Sequence, residues 1–387
     1  MSKVYLKTDS FGRIEKKELG KSLIMGTYRI AVLPGDGVGP EVTEEALKVL
    51  NAVERAFPKL RFNCKEYPTG ALCYQRSGSD LPVETFEACK QSDAILFGSA
   101  GLPDIRFPDG TEIAPQLTLR FKLDLYAGVR PIKRYAGVPS VLKGDPSIDY
   151  ILLRENTEGL YASRGGGVRI GGELAIDNMV ITRKGTERIV RYAFRLAEIR
   201  NGAPADRKKR VTCVDKSNVL RSMAFFREVF DQVASEFQGI ATDHVYVDAM
   251  ALYMVQQPQR FDVVVMENMF GDILSDLAAG TVGGMGLAPS ADVGENYGLF
   301  QSSHGSAPDI AGKGIANPVA QILSAAMMLD WLGDRKSDPE AKKGAKSIEA
   351  AVANVLMNSQ YHTADLGGNA STKMVGDAVT NEVKGLN

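Results

Sequence analysis

Apolar positions along this chain follow two alternating patterns. Short apolar or β-branched runs, each closed by a polar residue or glycine, predict strands at residues 29–33 (RIAVL), 94–97 (AILF), 148–153 (IDYILL), 210–214 (RVTCV), 244–247 (HVYV) and 261–266 (FDVVVM). Between them lie stretches with helical spacing. Residues 41–56 read as one helix. Residues 185–200 read as another and place Ile189, Val190, Ala193, Phe194 and Ala197 on one face. Asn317 followed by Pro318 reads as an N-cap and a first helical residue, opening a helix through Trp331 with Gly333 as its stop. This alternation predicts an α/β chain with a largely parallel sheet. The segment 165–172 (GGGVRIGG) breaks the pattern and reads as a hairpin or a protruding arm. The first 25 residues are polar and mixed in charge, without the apolar stretch of a signal peptide. Residues 1–27 are therefore read as an extension ahead of a folded region that starts near Tyr28.

Composition narrows the function classes. The 387 residues are 44% hydrophobic and 24% charged, an ordinary globular balance for two or three domains. A net charge of −1 gives no basic footprint for nucleic acid or an anionic membrane. No apolar run reaches the ~18 residues of a membrane span. Four cysteines (Cys64, Cys73, Cys89 and Cys213), none in a CxxC pair, suit free thiols in the cytoplasm. The three histidines, His244, His304 and His362, argue against a zinc site.

Several residues could carry chemistry. Asp272 and Asp276 in GDILSDLAAG stand four apart, which on a helix puts both carboxylates on one face. They are either two solvated acids or a pair sharing a divalent cation; oxygen ligands suit Mg2+ or Mn2+. Their place just after the strand at 261–266 favours a ligand crevice. Asp248 follows the strand at 244–247 in the same way and, taken alone, reads more as an N-cap than as a ligand. Arg120, Arg130 and Arg154 stand at element ends. Each could be a surface cation, but three planar forks suit a substrate with two carboxylates. Lys216 is a candidate base and Tyr161 a candidate acid, against a surface lysine and a core tyrosine. The loop Gly35–Gly39 is GxGxG rather than GxGxxG, so it does not signal a Rossmann domain.

Seven stretches together resemble the β-decarboxylating dehydrogenases, the family of 3-isopropylmalate, isocitrate, homoisocitrate and tartrate/D-malate dehydrogenases. They are LPGDGVGPEV, LDLYAGVRP, LLRENTEGLY, VDKSNVL, YVDAMA, ENMFGDILSD and HGSAPDIAGKGIANP, in family order. The resemblance implies the three-layer α/β fold of that family, in two domains and distinct from Rossmann. Residues 28–125 and 283–387 would form a large cofactor-binding domain, and 126–282 a small domain with a dimer arm at GGGVRIGG. It implies NAD and Mg2+ or Mn2+ as cofactors, and a (2R)-malate-type dicarboxylate 2-hydroxy acid as substrate. Arg120, Arg130 and Arg154 are then the carboxylate clamp, Tyr161 the proton donor after decarboxylation, and Lys216 the base for the C2 hydroxyl. Asp248, Asp272 and Asp276 are the metal set. Lys216 and Asp248 match positions that serve the neighbouring subunit, so a homodimer with shared sites is implied. His304, Gly305, Ser306, Ala307, Asp309, Ile310 and Asn317 match the cofactor loop. Asp309 would hold the adenosine ribose where NADP-linked relatives have Lys-Tyr.

Departures from the family concern the substrate. Just ahead of Arg120, isopropylmalate enzymes resemble Glu, Leu and Leu at the positions of Ile113, Gln116 and Leu117, and this chain keeps only the last. Isocitrate enzymes resemble Ser where Ala114 stands. IDYILLRENTEG and AGVPSVL are most similar to tartrate/D-malate types. The lead-in QSSHG stands where EPVHG is more usual. Two other readings accompany the NAD-linked one: an NADP-linked isocitrate dehydrogenase, and a non-catalytic regulatory subunit, which would show losses among the arginines, Tyr161, Lys216 or the aspartates.

Overall fold

In this computed structural model residues 7–8, 14–15, 26–164 and 166–385 are described. Ten strands form one sheet: β1 (Gly26–Gly35), β2 (Leu60–Glu66), β3 (Ala94–Ser99), β4 (Ala127–Lys133), β5 (Asp149–Glu155), β6 (Arg210–Asp215), β7 (Ala241–Tyr246), β8 (Val263–Met266), β9 (Pro289–Val293) and β10 (Gly298–Ser302). Their order is β7-β6-β8-β5-β4-β9-β10-β3-β1-β2. Both flanks are parallel, as the alternation predicts. The centre is not: β5–β4, β4–β9 and β9–β10 pair antiparallel. β4 was hidden from the pattern by Pro131, a residue that argues against a central strand. The five strands from 127–266 lie on one side of the β4–β9 junction and the other five on the opposite side.

The strand pleat explains the layers. Alternate residues of β1 face opposite ways: Ile30 and Val32 join one core, Ala31 and Leu33 another. β8 divides likewise, Val263 and Val265 against Val264 and Met266. All four residues of β8 are buried, the mark of a parallel strand covered on both faces. The helix Gly39–Ala56 fills one layer with Val42, Ala46, Val49, Leu50 and Val53. Each such large side chain contributes about 1.5–3 kcal/mol on burial. The helix Arg183–Ile199 buries the five residues expected to share a face. The fold is thus a three-layer α/β/α arrangement. No helix among the described residues is long and apolar enough to cross a membrane.

Two boundaries differ from expectation. The helix Val319–Lys336 runs past Gly333. A Cβ on Gly333 would lie 2.7 Å from Lys342 Cγ, so this glycine serves close packing with the helix Pro339–Leu356 rather than a stop. Pro318 occupies the cap position, and the Asn317 side chain accepts from Val319 N at 3.1 Å. Of 165–172, Val168–Ile170 pairs antiparallel with Leu174–Ile176 as an exposed hairpin; Gly165 lies outside the described residues.

Candidate functional site

Residues from both sides of the β4–β9 junction line a cavity of about 320 Å³. Its walls include Arg120, Arg130, Arg154, Tyr161, Asp272 and Asp276. Arg120 comes from the helix Pro115–Lys122, Arg130 from β4 and Arg154 from the end of β5. Tyr161 sits in the short helix Leu160–Ser163. Both aspartates lie on the helix Asn268–Thr281, which follows β8 directly and is capped by the Glu267 side chain accepting from Met269 N and Phe270 N.

The three guanidinium groups are buried, at 4%, 4% and 3% exposure. Buried charge needs partners. Asp292 on β9, wholly buried, accepts from Arg120 Nε at 2.8 Å and from Asn156 Nδ2 at 2.8 Å, and lies 3.9 Å from Arg130 Nη2. Arg130 Nη1 also donates to Ser303 Oγ at 2.9 Å. Arg154 Nε donates to Asn268 Oδ1 at 2.9 Å, and its terminal nitrogen pairs with Asp272. Burial, helped by the charges of Arg120 and Arg154, brings Arg130 down to about 10, which leaves it cationic at neutral pH. The wall thus sets three guanidinium groups beside the carboxylates of Glu112, Asp272 and Asp276.

Burial would raise Asp272, but Arg154 and the donated Tyr161 hydroxyl hold it below the usual carboxylate range. Asp276 moves the other way, raised by burial and then by the charge of Asp272. Arg154 and Arg130 offset part of the repulsion between these two carboxylates on one helix face, and the pair is a donor set that fits a divalent cation. Burial followed by the Asp272 hydrogen bond raises Tyr161, so its phenol keeps its proton at neutral pH.

Lys216 and Asp248 are elsewhere. They form an ion pair with each other outside the cavity wall, and Asp248 is exposed in the first turn of the helix Val247–Gln256. Among the described residues no three His, Cys, Asp or Glu side chains gather as a metal cluster. The three acids expected to act together are therefore not brought together within one copy of the chain.

The cofactor loop divides similarly. His304 and Gly305 line the cavity, and burial lowers the His304 imidazole so that it is neutral at pH 7. Ser306 is buried and its carbonyl accepts from Val38 N at 2.8 Å. Gly37, at φ +61°, is required there, because a Cβ would lie 1.9 Å from that carbonyl oxygen. Ala307 takes φ +40°, and it packs with Ile310 against Val38, Val42 and Ala316. Asn317 is buried and donates to Asp365 at 3.1 Å, while Asp309 is exposed. The first glycine loop is a tie between segments: buried Asp36 accepts from Ala71 N, Leu72 N and Gly101 N at 2.6, 3.0 and 2.9 Å.

In the segment ahead of Arg120, Leu117 lines the cavity but Ile113 does not; it is wholly buried behind the wall. Glu112, Ala114 and Gln116 face the cavity instead. Sequence reasoning weighed Ala114 and Gln116 as positions that read the substrate but named Ile113 and Leu117 as the contacts, and it missed Asp292 and Asn156 and gave Gln301 no role. One signal was available: the QSSHG lead-in contains Gln301.

Comparison with known proteins follows the same segments. The family described as isocitrate/isopropylmalate dehydrogenase matches residues 29–379. A 3-isopropylmalate/3-methylmalate dehydrogenase of Methanocaldococcus jannaschii is 44% identical over 358 residues, covering 92% of this chain and 99% of that protein. A homoisocitrate dehydrogenase of the same organism is 41% identical over 369 residues, covering 92% and 98%. The crystal structure of isocitrate dehydrogenase from Methylococcus capsulatus superposes with a TM-score of 0.81 at 38% identity, covering 92% of this chain and 99% of that one.

Proposed function

This chain belongs to the isocitrate/isopropylmalate dehydrogenase family, and from that premise we propose that it oxidises a (2R)-malate-type 2-hydroxy acid with NAD and releases the β-carboxylate as CO2. The observation that carries the reading is the convergence of three buried arginines on a cavity that also holds Asp272, Asp276 and Tyr161. Arg120, Arg130 and Arg154 bind and orient the two carboxylates by two-point contacts. Asp272 and Asp276, with Asp248 of a second copy, would hold Mg2+ or Mn2+. When bound, that ion polarises the C2 oxygen and stabilises the charge that builds on it. NAD would be held along the loop from His304 to Asn317 and would supply the acceptor for the C2 hydride. Lys216 of the second copy takes the proton of the C2 hydroxyl. Tyr161, which keeps its phenolic proton, delivers it from Oη to the carbon that loses CO2.

The shared site rests on two features. Lys216 and Asp248 pair with each other away from the cavity. The hairpin exposes Val168, Ile170, Leu174 and Ile176 together, as a surface awaiting a partner does. We read 28–125 with 283–387 as the cofactor-binding domain and 126–282 as the other, a division supported by the way the sheet separates at β4–β9. Four free cysteines support a reducing, cytoplasmic setting. The exposed Asp309 carboxylate supports NAD over NADP, whose 2′-phosphate it would repel.

The wall around C3 favours a hydrogen or hydroxyl substituent, as in D-malate or tartrate. Gln116 faces the cavity, and its Oε1 is buried without a hydrogen-bond partner among the described residues. A small alkyl substituent is the second reading, supported by Ala114 and Leu117 in the same wall. NADH production with Mn2+ on D-malate, tartrate, 3-isopropylmalate and isocitrate decides between them. The polar reading expects the highest kcat/KM on D-malate or tartrate, and preference for 3-isopropylmalate would reverse it. Preference for NADP and isocitrate would establish the isocitrate enzyme. No turnover of any acid would favour the regulatory subunit, although every candidate site residue such a subunit would lose is present.

A further inference from the structure

One buried carboxylate lies beneath the arginine clamp, Asp292 on β9, and its neighbour on β10 is an amide, Gln301. Gln301 pairs in register with Ser290 on β9, and Asp292 is two residues along from Ser290, on the same face of the sheet. The two side chains meet: Gln301 Nε2 donates to Asp292 Oδ2 at 3.3 Å. Asp292 is wholly buried; besides Gln301 it accepts from Arg120 Nε at 2.8 Å and Asn156 Nδ2 at 2.8 Å, with Arg130 Nη2 at 3.9 Å.

We infer that Asp292 is a positioning residue, holding Arg120 and Arg130 in the geometry that grips substrate carboxylates. Position 301 is its diagonal cross-strand neighbour, about 7–8 Å away along the backbone and within side-chain reach. Asp292 takes the inner edge of Arg120 at Nε. Gln301 satisfies the carboxylate with an amide hydrogen and adds no charge. An amide at 292 could not balance two buried guanidinium groups, and a second carboxylate at 301 would crowd the first. The arrangement therefore requires one carboxylate and one amide, on either strand. Asp292 does not touch the substrate; it acts through Arg120 and Arg130. The inference rests on the reading of this cavity as a dicarboxylate site.

Three variants test it, Asp292→Asn, Gln301→Glu and the double exchange, each with steady-state kinetics on the preferred acid and calorimetry with D-malate alone. Asp292→Asn is expected to raise KM for the acid by about 10²-fold, with kcat and the KM for NAD little changed. Gln301→Glu alone should raise it too and lower the melting temperature. The double exchange restores one carboxylate and one amide and should return KM to within about tenfold of wild type. A purely structural role would lower the yield of active enzyme and leave KM for the acid unmoved. An unchanged KM in Asp292→Asn, or a double variant no better than the single one, would overturn the inference. Should Asp292→Asn fail to fold, the double variant still decides by its KM. If wild type turns over no acid, the functional reading fails, and D-malate affinity across the variants still tests the positioning role.

Discussion

The arginine–aspartate cavity and the Lys216–Asp248 pair are built from the same kinds of residue, yet they differ in every physical respect. In the cavity, three guanidinium groups below 5% exposure are matched by Asp292 and Asp272 and by amides and a serine placed at hydrogen-bond distance. The Lys216–Asp248 pair lies at the surface, with side chains 27% and 68% exposed. A buried charge constellation has to be satisfied by its own chain, because an unmatched ion in the interior is costly. An exposed pair has no such requirement and is free to exchange its partner for a substrate or metal on another copy. The difference teaches that the buried groups find their partners within one chain, whereas Lys216 and Asp248 stand at the surface, where the proposed function has them serve a second copy.

The largest expected effect follows from that division. Lys216→Ala and Arg130→Ala should each lower turnover by about 10³-fold. Mixing the two inactive proteins should restore activity, since one site of the mixed dimer then has both groups intact. If subunit exchange is verified by mass spectrometry and no activity returns, both residues serve the same copy and the contrast between the regions fails. A smaller effect is expected at Asp272, where Asn retains the shape but removes charge from both Arg154 and the ion. Turnover should drop by at least about 10²-fold, and excess chelator should silence wild type until Mn2+ is supplied. Undiminished turnover in the chelator would remove the ion from the reaction.

The smallest effect concerns pH. Glu155, buried beside Arg154, is raised to about 7 by burial, against hydrogen bonds from Thr157 and Glu158 N–H. Its folded-state value lies above the unfolded one, so the folded chain binds the extra proton. Stability is therefore greatest below the unfolded value and falls as pH rises from about 4.5 to 7. Glu155→Gln should flatten that part of the melting curve by a few degrees, as measured by calorimetry. Asp248→Asn, the matching carboxylate-to-amide change at an exposed position, should leave the slope unchanged. A slope in wild type that survives in Glu155→Gln would assign it to another group.

Much of the fold was legible along the chain. The parallel flanks announced themselves because strands covered on both faces must be apolar throughout, as β8 is. The helix Arg183–Ile199 was legible because one of its faces is buried and the rest is not. The antiparallel centre was not, because β4 carries Pro131 and Arg130 and its neighbour on one side, β9, is distant in sequence. Site residues divided in the same way. Asp272 and Asp276 could be paired by counting four residues along a helix. Asp292 could not be paired with Arg120, because 172 residues separate them and no local spacing relates one to the other.

The chain by itself determined the alternation of elements, the helix faces, the carboxylate pair and the motif order that identifies the family, since each depends on residues close in sequence. Tertiary structure alone decided that Ile113 is turned away while Gln116 faces the cavity, that the first glycine loop is a tie held by Asp36, and that the clamp rests on Asp292. Those outcomes depend on which strands become neighbours across the β4–β9 junction. That choice minimises unmatched buried charge and exposed apolar surface over the whole molecule, a condition no short stretch of sequence expresses.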